Sequence, residues 1–324
     1  MDICFSVPFN GDLKLAAEAA DSGKAAEIYF AVPEPGSGAT QHFGIPSPAD
    51  MRNEAKKLAS LLIMCRRKKI KTNMLCNAPS LYGKTDKIRE NIRIMRPDAV
   101  TVADPLYIDF FRRNFPDVEL QASVIMDINS AEKARQAFRA GVKVIAPAAE
   151  VNRSIDVLRN IADVRNSFPG AQIKLMANYY CGYDCLYRTA HYAGRQNGCF
   201  PEGKDCYFQT VSQYEVFKRP FIRPEDLHFY ADSGLADIFK LIARYQPSEQ
   251  LRKIYAAYFS GLYDGNIFDI IGGGRANYGH GDNNFLRNSA IPDEFVSKVT
   301  SCSKDCRKCG WCADVYQKLL NEIP

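Results

Sequence analysis

The sequence is poor in histidine and tryptophan, and it lacks several signatures of well-known hydrolases. Its four histidines form no H-E-x-x-H pair, and it contains no G-x-S-x-G turn, so the motif-based signals of zinc peptidases and serine hydrolases are missing. No run approaches the roughly 20 apolar residues that cross a bilayer. The N-terminal residues also lack the basic start and apolar core of a signal peptide. We therefore expect a cytoplasmic protein with no membrane partner.

The composition indicates a folded protein with a large core. Of its 324 residues, 46% are hydrophobic and 24% are charged, which argues against disorder. The net charge of +5 is mild, and the densest basic run, residues 65–71, is interpreted as a solvated helix end. This charge distribution gives only weak support to RNA as a partner.

Short apolar segments alternate with amphipathic segments along most of the chain. Eight such segments, each followed by a helical pattern, are typical of a closed parallel barrel. The eight apolar segments are ICFSVPF, AEIYFAVP, IKTNMLCN, DAVTVADP, VELQASVIMDIN, VKVIAPAAE, IKLMANYY and DIFKLIAR. The sequence therefore predicts an α/β fold, a (β/α)8 TIM-like barrel.

The alternative fold is an open, doubly wound sheet. Such sheets usually have fewer strands, and this sequence has no Gly-rich first turn of the dinucleotide-binding kind. On the barrel interpretation, residues 1–269 form the barrel, with a long cysteine-bearing insertion after strand 7 at residues 181–230. Residues 270–324 form a cysteine-rich C-terminal extension.

Eight of the eleven cysteines fall into two groups. In a reducing compartment, clustered cysteines hold metal more often than they form disulfides. The spacings favour iron–sulfur clusters over zinc, which needs two close pairs. We therefore expect one or two 4Fe–4S clusters, with zinc as the alternative; whether Cys199 is a ligand stays open. The candidate ligands are Cys181, Cys185, Cys199 and Cys206 in the first group and Cys302, Cys306, Cys309 and Cys312 in the second.

Three short motifs in the second half of the chain resemble a branch of the peptidase U32 family. The first is N-x-x-C-x-x-x-C-x-x-R-x-x-H, which begins at Asn178 and ends at His191. The second is RPEDL, residues 223–227, and the third is FKLIAR, residues 239–244. The resemblance extends from the first strand to about Asp269.

The resemblance implies a barrel-like fold and a cysteine-bound iron–sulfur cluster. It implies an oxidoreductase that hydroxylates a small molecule or nucleotide without molecular oxygen, with prephenate as a candidate oxygen donor and an electron-donor protein as a candidate partner. Other members carry a collagenase-like protease label. The alternatives are therefore a U32-type peptidase, and a non-catalytic iron–sulfur protein that transfers electrons or acts as a scaffold.

Polar residues at strand ends are the candidates for substrate binding. Asn77, Asp104 and Arg244 each follow or close a strand, so a barrel would direct them to a common mouth, and Asn178 precedes the first cysteine. Arg244 suits a carboxylate or a phosphate. The candidate catalytic residues are Arg188 and His191, which follow Cys185 closely and would donate hydrogen bonds to cluster sulfurs or move a substrate proton.

Overall fold

Eight parallel strands form the centre of the molecule. The computed structural model describes residues 2–32, 48–197, 213–272 and 285–321. Within these ranges the strands pair in chain order and close into a barrel, which confirms the TIM-like fold. The strands are β1 Phe5–Pro8, β2 Ala25–Phe30, β3 Lys71–Cys76, β4 Ala99–Val102, β5 Glu119–Ala122, β6 Val144–Ile145, β7 Gln172–Met176 and β8 Ile238–Lys240.

Helices alternate with the strands and cover the barrel. Side chains cap some of their N-termini: Asp12 accepts hydrogen bonds from the backbone of Lys14 and Leu15, and Ser130 accepts one from Lys133. The helices are α1 Leu13–Asp21, α2 Pro48–Lys68, α3 Thr85–Met95, α4 Ile108–Asn114, α5 Ala131–Arg139, α6 Ile155–Asn166, α7 Arg188–Asn197, α8 Leu227–Asp232, α9 Ser248–Ser260, α10 Ile267–Ile270, α11 Phe295–Ser301, α12 Cys306–Cys309 and α13 Trp311–Asn321. None of the described helices is long and apolar enough to span a bilayer.

The basic run at residues 65–71 lies where α2 ends. The helix ends at Lys68, so Arg66, Arg67 and Lys68 occupy its last turn. Cations suit the negative end of a helix dipole, so this basic turn stabilises the helix end. Cys65 is itself buried in the core.

The barrel closes where β1 meets β8. This junction has two paired positions, Phe5 with Phe239 and Ser6 with Lys240, whereas β1 and β2 pair over four. The junction is reinforced by the Tyr29 hydroxyl, which donates to the Leu241 carbonyl over 2.9 Å. The closure therefore depends on side-chain contacts as well as on the strand ladder.

The barrel interior contains a hydrogen-bonded polar cluster that the apolar segments did not predict. We call Ser6, Glu27, Asn73, Gln121 and Lys174 the interior polar cluster; all five side chains are buried. Glu27 accepts hydrogen bonds from Ser6 (2.6 Å), Asn73 (3.0 Å) and Gln121 (2.9 Å) and forms an ion pair with Lys174. Burial alone would raise the pKa of Glu27, but Lys174 and these hydrogen bonds lower it to about 2.

The described C-terminal residues pack against the segment that follows residue 212. Phe295 in α11 stacks on Phe221 with ring centroids 6.0 Å apart, and it contacts Phe217 and Trp311 as well. The division of the chain at residue 269 stays a prediction.

The RPEDL motif makes a second connection to the C-terminal residues. Arg223 and Asp226 form a buried bidentate pair with N–O distances of 2.7 and 2.8 Å. Arg223 also donates to the carbonyl of Ile291 over 3.0 Å. Pro224 begins the short helical turn that leads into α8, as the sequence indicates. The motif has a structural role in this chain.

Candidate active site at the mouth of the barrel

The first cysteine group follows β7 at the carboxyl end of the barrel, which we call the mouth. Barrel enzymes place their active sites at this end. Cys181 and Cys185 lie in the turns after β7, and Arg188 begins α7. Both cysteine side chains are partly buried. The structure thus places these two cysteines and Arg188 together, at the end of the barrel that the sequence indicates.

The thiol of Cys181 contacts Cys185 and Arg188. Hydrogen bonding with Cys185, together with burial, raises the pKa of Cys181 far above its usual value, although Arg188 opposes this shift. Two neighbouring thiols resist ionising together because the two thiolate charges would repel each other. Metal ligation requires the thiolate, so a bound cation would supply the missing compensation.

Arg188 is held in place by acceptors on both sides. It forms a largely buried ion pair with Glu150, which follows β6, and donates to the carbonyl of Gly182 over 3.0 Å. Burial disfavours its charge, but Tyr179 and Glu150 outweigh this effect, so the pKa of Arg188 is raised. Arg188 therefore carries a fixed positive charge beside Cys181.

His191 lies one turn further along α7 and is partly buried. Its backbone N–H donates to the carbonyl of Tyr187 over 2.8 Å, as in an ordinary helix. On the same helix, the hydroxyl of Tyr192 is 2.7 Å from that of Tyr179. The catalytic role of His191 stays a prediction.

The second cysteine group lies in the turns that connect the last three helices. Cys302 follows α11, and Cys312 is in the first turn of α13. Cys306 and Cys309 are the first and last residues of α12. Gly310 ends α12 with a φ of +66°, a conformation that glycine adopts readily. Cys306 and Cys309 are exposed, whereas Cys302 and Cys312 are partly buried.

The members of the second group are close enough to influence one another. Burial raises the pKa of Cys312 to about 11; Arg153 opposes this shift, and Cys306, Cys302 and Cys309 add to it. Thiolates at the other three positions thus disfavour a thiolate at Cys312. This is the electrostatic arrangement that a metal centre relieves.

Two side chains near the barrel mouth, Tyr183 and Arg153, interact electrostatically with cysteines of the second group. Burial raises the pKa of Tyr183, which lies between Cys181 and Cys185, and the nearby charges of Asp184, Glu150, Cys302 and Cys306 raise it further. Arg153 is buried, its guanidinium lies 5.1 Å from the ring centres of Phe221 and Phe295, and it interacts electrostatically with Cys302 and Cys312. The last helices therefore place the second group beside the mouth.

The cysteines have the donor chemistry of an iron–sulfur site, but the described side chains are not drawn together around a centre. Among the residues that the structure describes, no three His, Cys, Asp or Glu side chains converge in the manner of a metal site. Cys199 and Cys206 lie outside the described residues. Thiolates that repel one another fit a cationic cluster, and binding it would have to bring them closer together.

The four predicted substrate-binding residues occupy different environments. Asp104 accepts hydrogen bonds from the backbone of Leu81 (3.2 Å) and Leu106 (3.1 Å), so its carboxylate caps two turns. Asn77 is 9% exposed, and its Oδ1 has no hydrogen-bond partner among the residues that the structure describes. Arg244, also at the mouth, is only partly buried.

Asn178 fastens the ends of β7 and β8 to each other. Its Oδ1 accepts from the backbone N–H of Ile242 over 2.7 Å, and its own carbonyl accepts from Gly272 over 2.8 Å. Asn178 is fully buried. Its side chain is thus engaged in the protein itself, and its role in substrate binding stays a prediction.

Replacing Gly272 with alanine should destabilise the protein by about 1–3 kcal/mol, the usual cost of overpacking. The new Cβ would lie 2.7 Å from Ile242 and 2.9 Å from the Asn178 carbonyl. The measurement is the urea midpoint at unchanged slope. Adding Ile242→Ala should recover part of the loss; if the double variant is less stable by the sum of the two changes, contact with Ile242 is not the cause.

Sequence comparison identifies the family. The profile described as peptidase family U32 matches residues 12–173, half of the 324-residue chain. This chain belongs to peptidase family U32. The matched residues end in β7, so both cysteine groups lie beyond them. The hydroxylase branch and the cysteine motifs stay predictions for this U32 chain.

This U32 chain is similar to two known proteins, one by sequence and one by structure. The uncharacterized protease MJ1657 of Methanocaldococcus jannaschii is 29% identical over 236 residues, which are 69% of this chain and 66% of the relative. The solved structure of the U32 peptidase Mk0906 covers 75% of this chain and 94% of its own, with a TM-score of 0.50 and 12% identity. The chain spans about two thirds of the curated relative's length, and the structural likeness shows a shared fold.

Sequence reasoning missed one charged residue at the mouth of this U32 chain. Lys240 is the last residue of β8 and is 9% exposed, inside the barrel rather than on its surface. Its ammonium lies 4.2 Å from the ring centre of Tyr29. The available signal is strand alternation: Lys240 is two residues from the buried Ile238, and alternate residues of a barrel strand share the face toward the interior.

Proposed function

We propose that this U32 protein is a redox enzyme whose two cysteine groups hold iron–sulfur clusters beside a substrate pocket at the barrel mouth. The proposed reaction is hydroxylation or a related redox modification of a small molecule or nucleotide without molecular oxygen. The observation that supports this most is the proximity of the two cysteine groups, with Tyr183 between Cys181 and Cys185 and within electrostatic range of Cys302 and Cys306.

In this proposal, the cluster supplies electron transfer and the protein supplies charge and orientation. Arg188, fixed by Glu150, keeps a positive charge beside Cys181 and offsets the negative charge of ligating thiolates. Arg153 does the same beside Cys302 and Cys312. The substrate would enter at the mouth, where Asn77 offers an unused acceptor.

A peptidase is the second candidate, and the names of the two relatives favour it. A cysteine peptidase needs a thiolate activated by a lowered pKa. Among the described cysteines, each of those with a resolved shift has a raised pKa, namely Cys4, Cys65, Cys76, Cys181 and Cys312. These five thiols are therefore poor nucleophiles in the metal-free state.

Metal analysis distinguishes the proposals. Protein purified without oxygen should contain iron and acid-labile sulfide in equal amounts, about eight irons per chain if both groups are loaded. Mössbauer spectra should identify 4Fe–4S clusters. Stoichiometric zinc without iron would contradict the redox proposal. A loaded protein that reduces and reoxidises but modifies no small molecule or nucleotide would instead indicate an electron-transfer or scaffold protein.

The peptidase is tested on the metal-free chain. Casein and a mixed peptide library should remain intact over long incubation, whether or not the protein was loaded with iron. Hydrolysis by the metal-free protein that is lost in Cys181→Ala and retained in Cys4→Ala would establish the peptidase and overturn the redox proposal. Cys4 is a suitable control because it lies at the other end of the barrel, before β1.

A further inference from the structure

Lys240 is a buried cation without an anionic partner. Its side chain extends into the barrel at the mouth end of β8 and lies over the face of Tyr29, 4.2 Å from the ring centre. Within the described ranges, it forms no ion pair and donates no hydrogen bond. By contrast, the other interior lysine, Lys174, is ion-paired with Glu27 and hydrogen-bonded to Gln121 over 2.6 Å.

Arg244 is a second cation near Lys240. Arg244 follows β8 and, like Lys240, forms no ion pair or hydrogen bond with the described residues. The two charges are close enough for Arg244 to lower the pKa of Lys240, and Tyr29 interacts with both. We call Tyr29, Lys240 and Arg244 the mouth cation group.

Burying cations without an ion-pair partner costs free energy unless an anionic ligand binds to them. Removing an ammonium from water carries a large desolvation penalty even after the protein relaxes, and a cation–π contact returns only part of it. Two neighbouring cations increase the cost further. Proteins pair buried charges almost without exception, so a buried lysine beside an arginine, both unpaired among the described residues, indicates a ligand site.

We propose that Lys240 and Arg244 bind the carboxylate of a small organic acid at the barrel mouth. The planar fork of Arg244 matches a planar carboxylate, and Lys240, whose ammonium lies over the face of Tyr29, adds a point charge. This site does not depend on the reaction proposed above, because a redox enzyme and a peptidase could both use it.

Binding at this site should take up a proton. Burial, together with the nearby charges of Lys174 and Arg244, lowers the pKa of Lys240 to about 7, although Glu27 opposes this shift. A carboxylate beside the amine restores the charged form and raises this pKa. At pH 8, where the free amine is largely neutral, each ligand bound should therefore bring close to one proton with it.

Calorimetric titration tests the proposal on the full chain. Succinate, phenylacetate and inorganic phosphate are titrated at pH 8 in buffers of different ionisation enthalpy, which reveals the protons taken up. We expect a carboxylate to bind with proton uptake, and Lys240→Met or Arg244→Gln to weaken it roughly 10- to 100-fold, the loss typical of a charge-assisted contact. The control, Arg159→Gln, removes an exposed arginine of α6 and should change nothing.

Thermal unfolding of the same variants separates binding from folding. Without ligand, Lys240→Met should unfold at a temperature equal to or a few degrees above that of the wild type, because it removes an unpaired buried charge. Three results would overturn the proposal: no binding of either carboxylate at tens of millimolar, unchanged affinity in both variants, or a lower unfolding temperature for Lys240→Met. Binding of phosphate alone would reject the carboxylate assignment in favour of a phosphoryl ligand.

Discussion

Replacing Lys174 with methionine should destabilise the barrel by about 3–5 kcal/mol at neutral pH, the usual cost of leaving one member of a buried ion pair alone. Glu27 would keep its hydrogen bonds from Ser6, Asn73 and Gln121 but would lose its ion pair with Lys174. The measurement is the free energy of unfolding from urea titration, with the slope checked against the wild type.

The same substitution should reverse the effect of acid on stability. In the wild type the pKa of Glu27 is about 2, below its usual value, so its contribution is complete above about pH 4.5 and is lost as the pH falls towards 2. In Lys174→Met, burial without a cation would raise the pKa of Glu27 above the usual value. Stability should then increase as the pH is lowered from neutrality, because the neutral acid is easier to bury.

The double variant Glu27→Gln with Lys174→Met is the matched control. It removes both charges and retains an acceptor for the interior polar cluster, so it should recover most of the lost stability and respond weakly to acid. If Lys174→Met behaves like the wild type at every pH, the ion pair has no role in holding the barrel together.

Serine substitution of Cys306 and Cys309 should remove about half of the iron, some four atoms of eight, if each cysteine group holds one 4Fe–4S cluster. Serine substitution of Cys181 and Cys185 should remove the other half. Iron and sulfide are measured per chain after anaerobic purification, and Mössbauer spectra report which cluster remains.

A cysteine outside both groups serves as the control for effects on folding. Cys4→Ser can retain the bond that Cys4 donates to the carbonyl of Asp237 and should keep all of the iron. Cys306 and Cys309 are exposed, so the metal-free double variant should unfold at the wild-type temperature. Equal iron in all three variants would show that the cysteine groups do not hold the metal.

The barrel was predictable from the sequence because its signal repeats. Each apolar segment followed by a helical pattern supplies independent support for the same architecture, so an error of several residues in one element, such as β6, changes nothing. The interior polar cluster was not predictable. Glu27 and Lys174 lie 147 residues apart, and only the closed barrel brings them together.

The candidate site was predictable in position but not in its contacts. Strand order alone assigns Cys181, Cys185 and Arg188 to the mouth. The capping role of Asp104 depends on loop geometry, and Lys240 was missed because one charge in an apolar strand resembles an edge residue. Pairings between the loops of neighbouring strands, such as Arg188 with Glu150, have no local signal.

The junction of β1 with β8 has a consequence for how the chain is made. A ribosome releases β1 long before residues 238–240, so one edge of the nascent sheet stays open through most of translation. Bringing together the two ends of so long a segment is slow. Chaperones that shield exposed strand edges should therefore bind the nascent chain until Phe239 emerges, and release it once the ring of strands is complete.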